Sequence, residues 1–293
     1  MLVLCLALAA CQPAPPPQGS PRYMLGEPYS LGGLWSYPKE EFGRVESGLA
    51  AVLPDRRAGR RTTNGEIFDP DRLMGAHRTL QLPAIVSVWN LETGREVRLR
   101  VNDRGPAQPG RVIGLSSRAA ALLGIPAGGT AQVRVSVEDA PSRALARALP
   151  SSERTAPQVE AVRTVAVERE ELAPLPGSRQ AERVREAPRV ATAPAAPGAE
   201  AGLPPDPLPE QVLPRPAMPG RLWVEAGSFF RRDLAQQQAA RLRDLGARVE
   251  PFGEGRQPQF RVRLGPFASP AAADRAVAGV LAAGLPEVKL LVE

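Results

Sequence analysis

The feature that most constrains this chain is a break in its pattern. From Ala140 to about Gly220, Pro, Ala, Arg and Glu dominate and large apolar residues are few. Such a stretch cannot bury enough apolar surface to offset the entropy lost on ordering it. Residues 140–220 therefore read as a disordered linker, with a transient helix over 163–184. The chain must then fold as two separate cores, and 293 residues suit two modules plus connections. Only 4% of residues are aromatic while prolines number 33, which also fits compact modules joined by extended segments. The net charge of +6 suits a polyanionic partner such as nucleic acid, anionic lipid or an acidic wall polymer, but does not choose among them.

Ahead of the break the period is two. Ile85–Asn90 alternates, Leu91-Glu92-Thr93-Gly94 is a turn, and Arg95–Val101 alternates again, which makes a hairpin. Ser116–Leu123 is a short amphipathic helix with a serine cap at 116 or 117 and Gly124 as its stop. Ala131–Val137 is one more alternating strand. Many short strands around one short helix predict a small closed β-barrel over 48–139. Residues 12–47 read as a Pro-rich tether followed by an ordered arm, in which Trp35-Ser36-Tyr37-Pro38 packs onto the barrel.

Beyond the break, 221–293 runs strand, helix, strand, strand, helix, strand. Leu222–Gly227 opens it, Arg232–Leu245 is an amphipathic helix stopped by Gly246, and Ser269 caps a second helix. That order is the ferredoxin-like βαββαβ unit. The fold class is thus mostly β plus α+β.

The N-terminal ten residues are apolar but too short to span a bilayer. They read as the core of a signal peptide, without a basic segment before it. Leu8-Ala9-Ala10-Cys11 fits a lipobox, so residues 1–11 read as a lipoprotein signal peptide with its lipobox cysteine, Cys11 being the acylated first residue of an outer-membrane lipoprotein. The remaining cysteine, Cys5, lies in the leader, so no disulfide is available. One histidine and no usable cysteine leave little for a metal site, and no phosphate loop is present. No cofactor is expected.

Chemistry concentrates in Arg60-Arg61-Thr62-Thr63-Asn64-Gly65-Glu66, His77 and Asn102-Asp103-Arg104-Gly105-Pro106. Two carboxylates and the sole imidazole fall within about forty residues. Read plainly, Glu66 closes a turn, His77 is structural, and Asp103-Arg104 is an internal pair that fixes a loop.

Together with Ala76–Leu80 and Gly110–Ile113, these segments resemble the rare lipoprotein A family. The resemblance implies a six-stranded double-psi β-barrel followed by a SPOR domain. It implies lytic transglycosylase activity on peptidoglycan strands stripped of stem peptides, leaving 1,6-anhydro ends. That chemistry needs an acid for the glycosidic oxygen and then a base for the 6-hydroxyl of the same sugar. One carboxyl of raised pKa can serve both steps, the rise coming from a groove wall or a second carboxylate. Carried over residue by residue, Glu66, His77 and Asp103 are the catalytic candidates. Thr63, Asn64, Asn102 and Arg104 are candidates for holding hydroxyls and acetamides.

Two departures stand out. Ala50–Pro54 replaces the family's Ala-Ser-Trp-Tyr-Gly, and Gly114-Leu115-Ser116 replaces Asp-Leu-Ser. They support an alternative reading as a non-catalytic peptidoglycan-binding septal lipoprotein. In the SPOR-like unit, Trp223, Ser228, Arg261 and Arg263 are candidates for binding bare glycan, with Phe229 and Phe267 assigned to the core. A sheet face bearing Arg and aromatics is also an RNA-binding surface, but export argues against nucleic acid. Divisome proteins are further candidate partners.

Overall fold

The structure is a computed structural model and describes residues 18–151, 204, 206–253 and 258–293. The lipobox with Cys11 and the transient helix over 163–184 lie outside them. Among the described residues no helix is long and apolar enough to cross a membrane.

An arm hairpin comes first, β1 (Tyr29–Leu31) and β2 (Leu34–Ser36). Six strands then close on themselves. They are β3 (Val45–Val52), β4 (Met74–His77), β5 (Ala84–Asn90), β6 (Arg95–Asp103), β7 (Arg111–Leu115) and β8 (Thr130–Val137). Their order is β4-β7-β3-β8-β5-β6, and β6 returns to β4. The β3–β7 and β4–β6 contacts are parallel, whereas β5 pairs antiparallel with β6 and β8. This is the small closed barrel expected from the alternating strands, with the six strands that the resemblance implies, and closure leaves no free edge. It begins at Val45, slightly ahead of the expected boundary. Leu99, Val101, Ile113, Leu115, Val133 and Val135 fill the interior. Helix α1 (Ser117–Leu123) is bounded as its sequence predicts. Ser116 accepts from the Ala119 amide, and Gly124 ends the helix in the left-handed region at φ 78°.

The C-terminal unit contains β10 (Leu222–Phe229), α3 (Arg232–Arg241), β11 (Arg248–Phe252), β12 (Gln259–Phe267), α4 (Pro270–Ala282) and β13 (Lys289–Val292). The sheet order is β11-β12-β10-β13, antiparallel throughout. Val224, Val262 and Leu264 from the sheet and Ala273, Val277 and Val280 from α4 share one core, against which Phe229 and Phe267 pack.

The break is ordered at both ends, which corrects the expected linker. Helix α2 (Asp139–Ala148) buries Leu145 in the barrel core. Its Ser142 hydroxyl accepts from the Ile85 amide at 2.9 Å and donates to the Ile85 carbonyl at 3.2 Å, so it is stitched to β5. At the other end β9 (Val212–Pro214) pairs antiparallel with β6. Leu208 is buried beside the barrel core. Ion pairs Arg118–Glu210 and Arg215–Glu96 fasten the same strap. Composition missed this because the strap is held by main-chain pairing and charge, neither of which needs an apolar run.

The strap delivers the C-terminal unit onto the barrel. Leu34, Leu49 and Leu91 share an apolar cluster with Leu222, Val277 and Leu290. Gly48 permits the approach, since a Cβ there would lie 3.2 Å from the Leu290 carbonyl oxygen. Arg111 donates twice to Asp274, at 2.6 and 2.8 Å. The arginine side chain is almost fully buried, so removing its partner strands a desolvated charge. Asp274→Ala is expected to destabilise the docked unit by about 2 kcal/mol, a figure reduced because Asp274 is partly exposed. Calorimetry should then show an earlier C-terminal transition; unchanged thermograms would show that docking does not lean on this pair.

Candidate functional site

The site begins with a turn. The Gly65 amide donates to the Thr62 carbonyl at 2.9 Å, and the Thr62 amide to the Glu66 carbonyl at 2.8 Å. Gly65 is needed at the corner: its φ is 91°, and a Cβ would lie 2.2 Å from the Ser20 carbonyl oxygen. The turn brings Thr63 and Asn64 against the end of β6, where the Asn64 amide donates to the Asn102 carbonyl at 3.3 Å.

Two dipeptides then clasp. Asn64 Nδ2 donates to Glu66 Oε1 at 2.8 Å, and Asn102 Nδ2 to Glu66 Oε2 at 2.8 Å. Thr63 donates to Asp103 Oδ1 through its amide at 2.9 Å and its hydroxyl at 2.5 Å. The Arg104 amide adds a third donor at 2.8 Å, and Arg57 meets Asp103 Oδ2. Side chains alternate along a strand, so Asn102 and Asp103 leave β6 on opposite sides, the first toward Glu66 and the second toward Thr63, while the Asn102 carbonyl takes the Asn64 amide. Arg104 reaches back to the Leu80 carbonyl at 2.5 Å and the His77 carbonyl at 3.4 Å.

Glu66 does not have the raised pKa expected of a proton donor. Burial pushes it up, but Arg100 overcomes that, donating from Nε at 2.9 Å and Nη2 at 2.6 Å. With Asn102 and Asn64 adding to the effect, the carboxyl is held below its ordinary value. Arg100 is a site residue that motif reading passed over. Its spacing of two from Asn102 on β6 places both side chains on one side, a signal the alternation carried.

The imidazole of His77 faces elsewhere. Nδ1 accepts from the Thr79 and Leu80 amides at 3.1 Å each. The proton therefore sits on Nε2, which lies 2.7 Å from Glu46 Oε1. None of these contacts reaches Glu66 or Asp103. Glu46 is held at about 2, below the ordinary 4.5: burial would raise it, but His77 and Arg44 prevail. Glu46 lies thirty-odd residues from His77 on a different strand, and no motif pointed to it.

Gly114 has no room for the acid found there in the resembled family. A Cβ would lie 2.6 Å from Leu53 Cδ2. Leu53 occupies the other departure and clusters with Phe68, Met74 and Ala76. The two departures are thus one packing event, with an apolar plug where polar groups were expected.

In the C-terminal unit, Trp223, Arg261 and Arg263 share the sheet face turned from the helices. The Arg263 guanidinium sits 4.3 Å from the Trp223 ring centroid and pairs with Glu250 at 3.1 Å and Glu293 at 2.7 Å. Arg261 also reaches Glu293, at 3.1 Å. Ser228 is exposed and donates to Glu225 at 3.1 Å. Among the described residues no group of three or more His, Cys, Asp or Glu is placed to hold a metal ion.

A closed barrel with two parallel strand pairs and two clasped acids, joined to a βαββαβ sheet, defines a two-module class of protein. Residues 46–135 match the family described as lytic transglycolase, and residues 219–287 match the SPOR domain. Endolytic peptidoglycan transglycosylase RlpA of Pseudomonas aeruginosa is 34% identical over 246 residues, covering 83% of this chain and 69% of that protein. The RlpA proteins of Vibrio cholerae and Campylobacter jejuni are 42% and 39% identical over 120 and 112 residues. Each of these two alignments covers 38% of this chain, and they cover 46% and 41% of the two relatives. A crystal structure of the RlpA SPOR domain from P. aeruginosa aligns over 25% of this chain and 99% of its own, at 25% identity and a TM-score of 0.23. The chain belongs to the RlpA family.

Two stability tests follow from this geometry. Glu66→Ala leaves Arg100 buried without a counter-charge and should cost about 3–5 kcal/mol in urea unfolding; a loss under 1 kcal/mol would show the pair is not buried. The depressed Glu46 value stabilises the fold above pH 4.5, and that contribution drains away as pH falls from 4.5 toward 2. Glu46→Gln should flatten the melting temperature across that window, and equally steep curves for both proteins would contradict the assignment.

Proposed function

We propose that this protein is an endolytic peptidoglycan lytic transglycosylase acting on peptide-stripped glycan strands. The observation that carries the reading is the clasp of Thr63-Asn64 with Asn102-Asp103, which holds two buried acids in different environments. Glu66, tied to Arg100, stays ionised. Asp103, at the strand end, is met by an Arg57 side chain that is 28% exposed and can be displaced.

In this reading the glycan displaces Arg57. Asp103 is the acid in this scheme, and its carboxyl gives a proton to the glycosidic oxygen as the bond to C1 breaks. The resulting carboxylate removes the proton from the 6-hydroxyl of the same sugar, whose oxygen bonds to C1. The ring closes as a 1,6-anhydro end, no water enters, and the proton balance is zero. The ionised Glu66 supplies negative charge near the positive charge that develops on the sugar. Asn64, Asn102 and Arg104 hold Glu66, Asp103 and the 77–80 turn in place. Asn102 Oδ1, buried without a partner among the described residues, is left for a sugar hydroxyl or acetamide N–H. His77 is a positioning residue in this scheme, since its carbonyl accepts from Arg104.

The SPOR module brings the barrel to bare septal glycan, with Trp223, Ser228 and Arg261 as contacts and Arg263 supporting Trp223 from beneath. The lipobox supports anchorage at Cys11 in the outer membrane, facing the periplasm. Divisome proteins remain candidate partners, and nucleic acid is not expected as one.

The Leu53 plug over Gly114 favours a second reading, a wall-binding lipoprotein without activity. Incubation of the full chain with denuded sacculi, followed by mass spectrometry, separates the two. The expected result is anhydro-ended products from the wild type and none from Asp103→Asn, with both proteins still bound to sacculi. Bound wild type that yields no anhydro ends at high concentration would leave the second reading in place.

A further inference from the structure

The arm hairpin carries two aromatics that the fold does not bury. Along β2 and just beyond it, Leu34 and Ser36 turn inward, while Trp35 and Tyr37 stand out, 50% and 52% exposed. Residues two apart on an extended strand share a side and lie about 7 Å apart. The hairpin is fixed in place rather than loose. Gly32 at its tip packs against the Ala107 carbonyl, Tyr29 donates to the Arg78 carbonyl at 2.9 Å, and Arg78 Nη1 donates to the Leu31 carbonyl at 3.1 Å. The exposed pair is therefore presented on a rigid support.

Trp35 and Tyr37 line a cleft of about 350 Å³ between the arm, the barrel and residues 286–291 of the C-terminal unit. That volume lies within the range of small-ligand sites. Of the two carboxylates that line it, the half-buried Glu46 is already matched by Arg44 and His77, and Glu287 is exposed. Unmet hydrogen-bonding groups remain: Thr79 Oγ1 and Arg78 Nε both belong to cleft residues, and both are buried without a partner. A buried hydroxyl left unpaired is costly, so its retention needs a reason. Lys39, Arg111, Glu287 and Lys289 also line the cleft; flat apolar rings beside so many polar groups suit a ligand with both C–H faces and hydroxyls.

We propose that this cleft is a second glycan subsite, in which Trp35 and Tyr37 stack on pyranose faces of an N-acetylated hexosamine strand while Thr79 and Arg78 bond its hydroxyls. The inference rests on the reading of the substrate as a glycan. It assigns the stacking surface for the glycan to the arm. The cleft lies at the seam between the modules, lined by the arm, the barrel and residues 286–291.

The test uses the full chain labelled with 5-fluorotryptophan, whose three indole signals are assigned with Trp35→Phe and titrated with chitotetraose. The Trp35 signal should shift saturably in both wild type and Asp103→Asn. Trp35→Ala combined with Tyr37→Ala should weaken sacculus binding about tenfold or more. Thr79→Val keeps the shape and removes only the unpaired hydroxyl, so it should leave the melting temperature level or higher while weakening chitotetraose about three- to tenfold. A Trp35 signal that stays fixed while Trp223 moves would overturn the proposal, as would a Thr79→Val protein that binds like wild type. Continued cleavage by Asp103→Asn would instead defeat the catalytic reading and leave the cleft standing.

Discussion

Thr63 and Asn64 donate hydrogen bonds to Asp103 and Asn102, and the rest of the site follows from that clasp. One dipeptide lies on a turn made possible by Gly65, the other at the end of a barrel strand. Neither holds its acid alone: Glu66 needs Asn64 and Asn102, and Asp103 needs Thr63. Arg100 completes the arrangement by keeping Glu66 ionised despite burial. A buried carboxylate would otherwise be costly, and Arg100 offsets that cost for Glu66.

The clasp depends on a barrel that is locked from outside. β6 carries Arg100, Asn102 and Asp103, and it is paired on one side to β5, on the other to β4, and along its start to β9. The strap that contains β9 also leads into the C-terminal unit, whose Leu290 packs on the barrel. The segment that joins the modules therefore also steadies the strand that bears the chemistry. The apolar plug of Leu53 over Gly114 belongs to the same packing logic. Volume lost at one position is filled from the other, and polarity leaves both together.

Much of this was legible in the residues. The hairpin over 85–101, the capped helix at 117 and the βαββαβ order came directly from period and punctuation. The acids Glu66 and Asp103 stood out by motif, and Arg100 could have been read from its spacing to Asn102. The Glu46–His77 pair could not, because the two side chains meet across strands whose register only closure of the barrel sets. The strap was missed for a related reason: Val212–Pro214 has no amphipathic pattern of its own and is held by the edge it joins.

By itself the sequence determined the local elements and the residue chemistry, since periodicity, caps and turn glycines act over a few neighbouring residues. Tertiary structure decided which arginine meets each acid, which way the imidazole faces, and that the two modules share a seam. Those outcomes depend on contacts between residues far apart in the chain, where burial and paired charge compete and the geometry of the closed barrel determines which prevails.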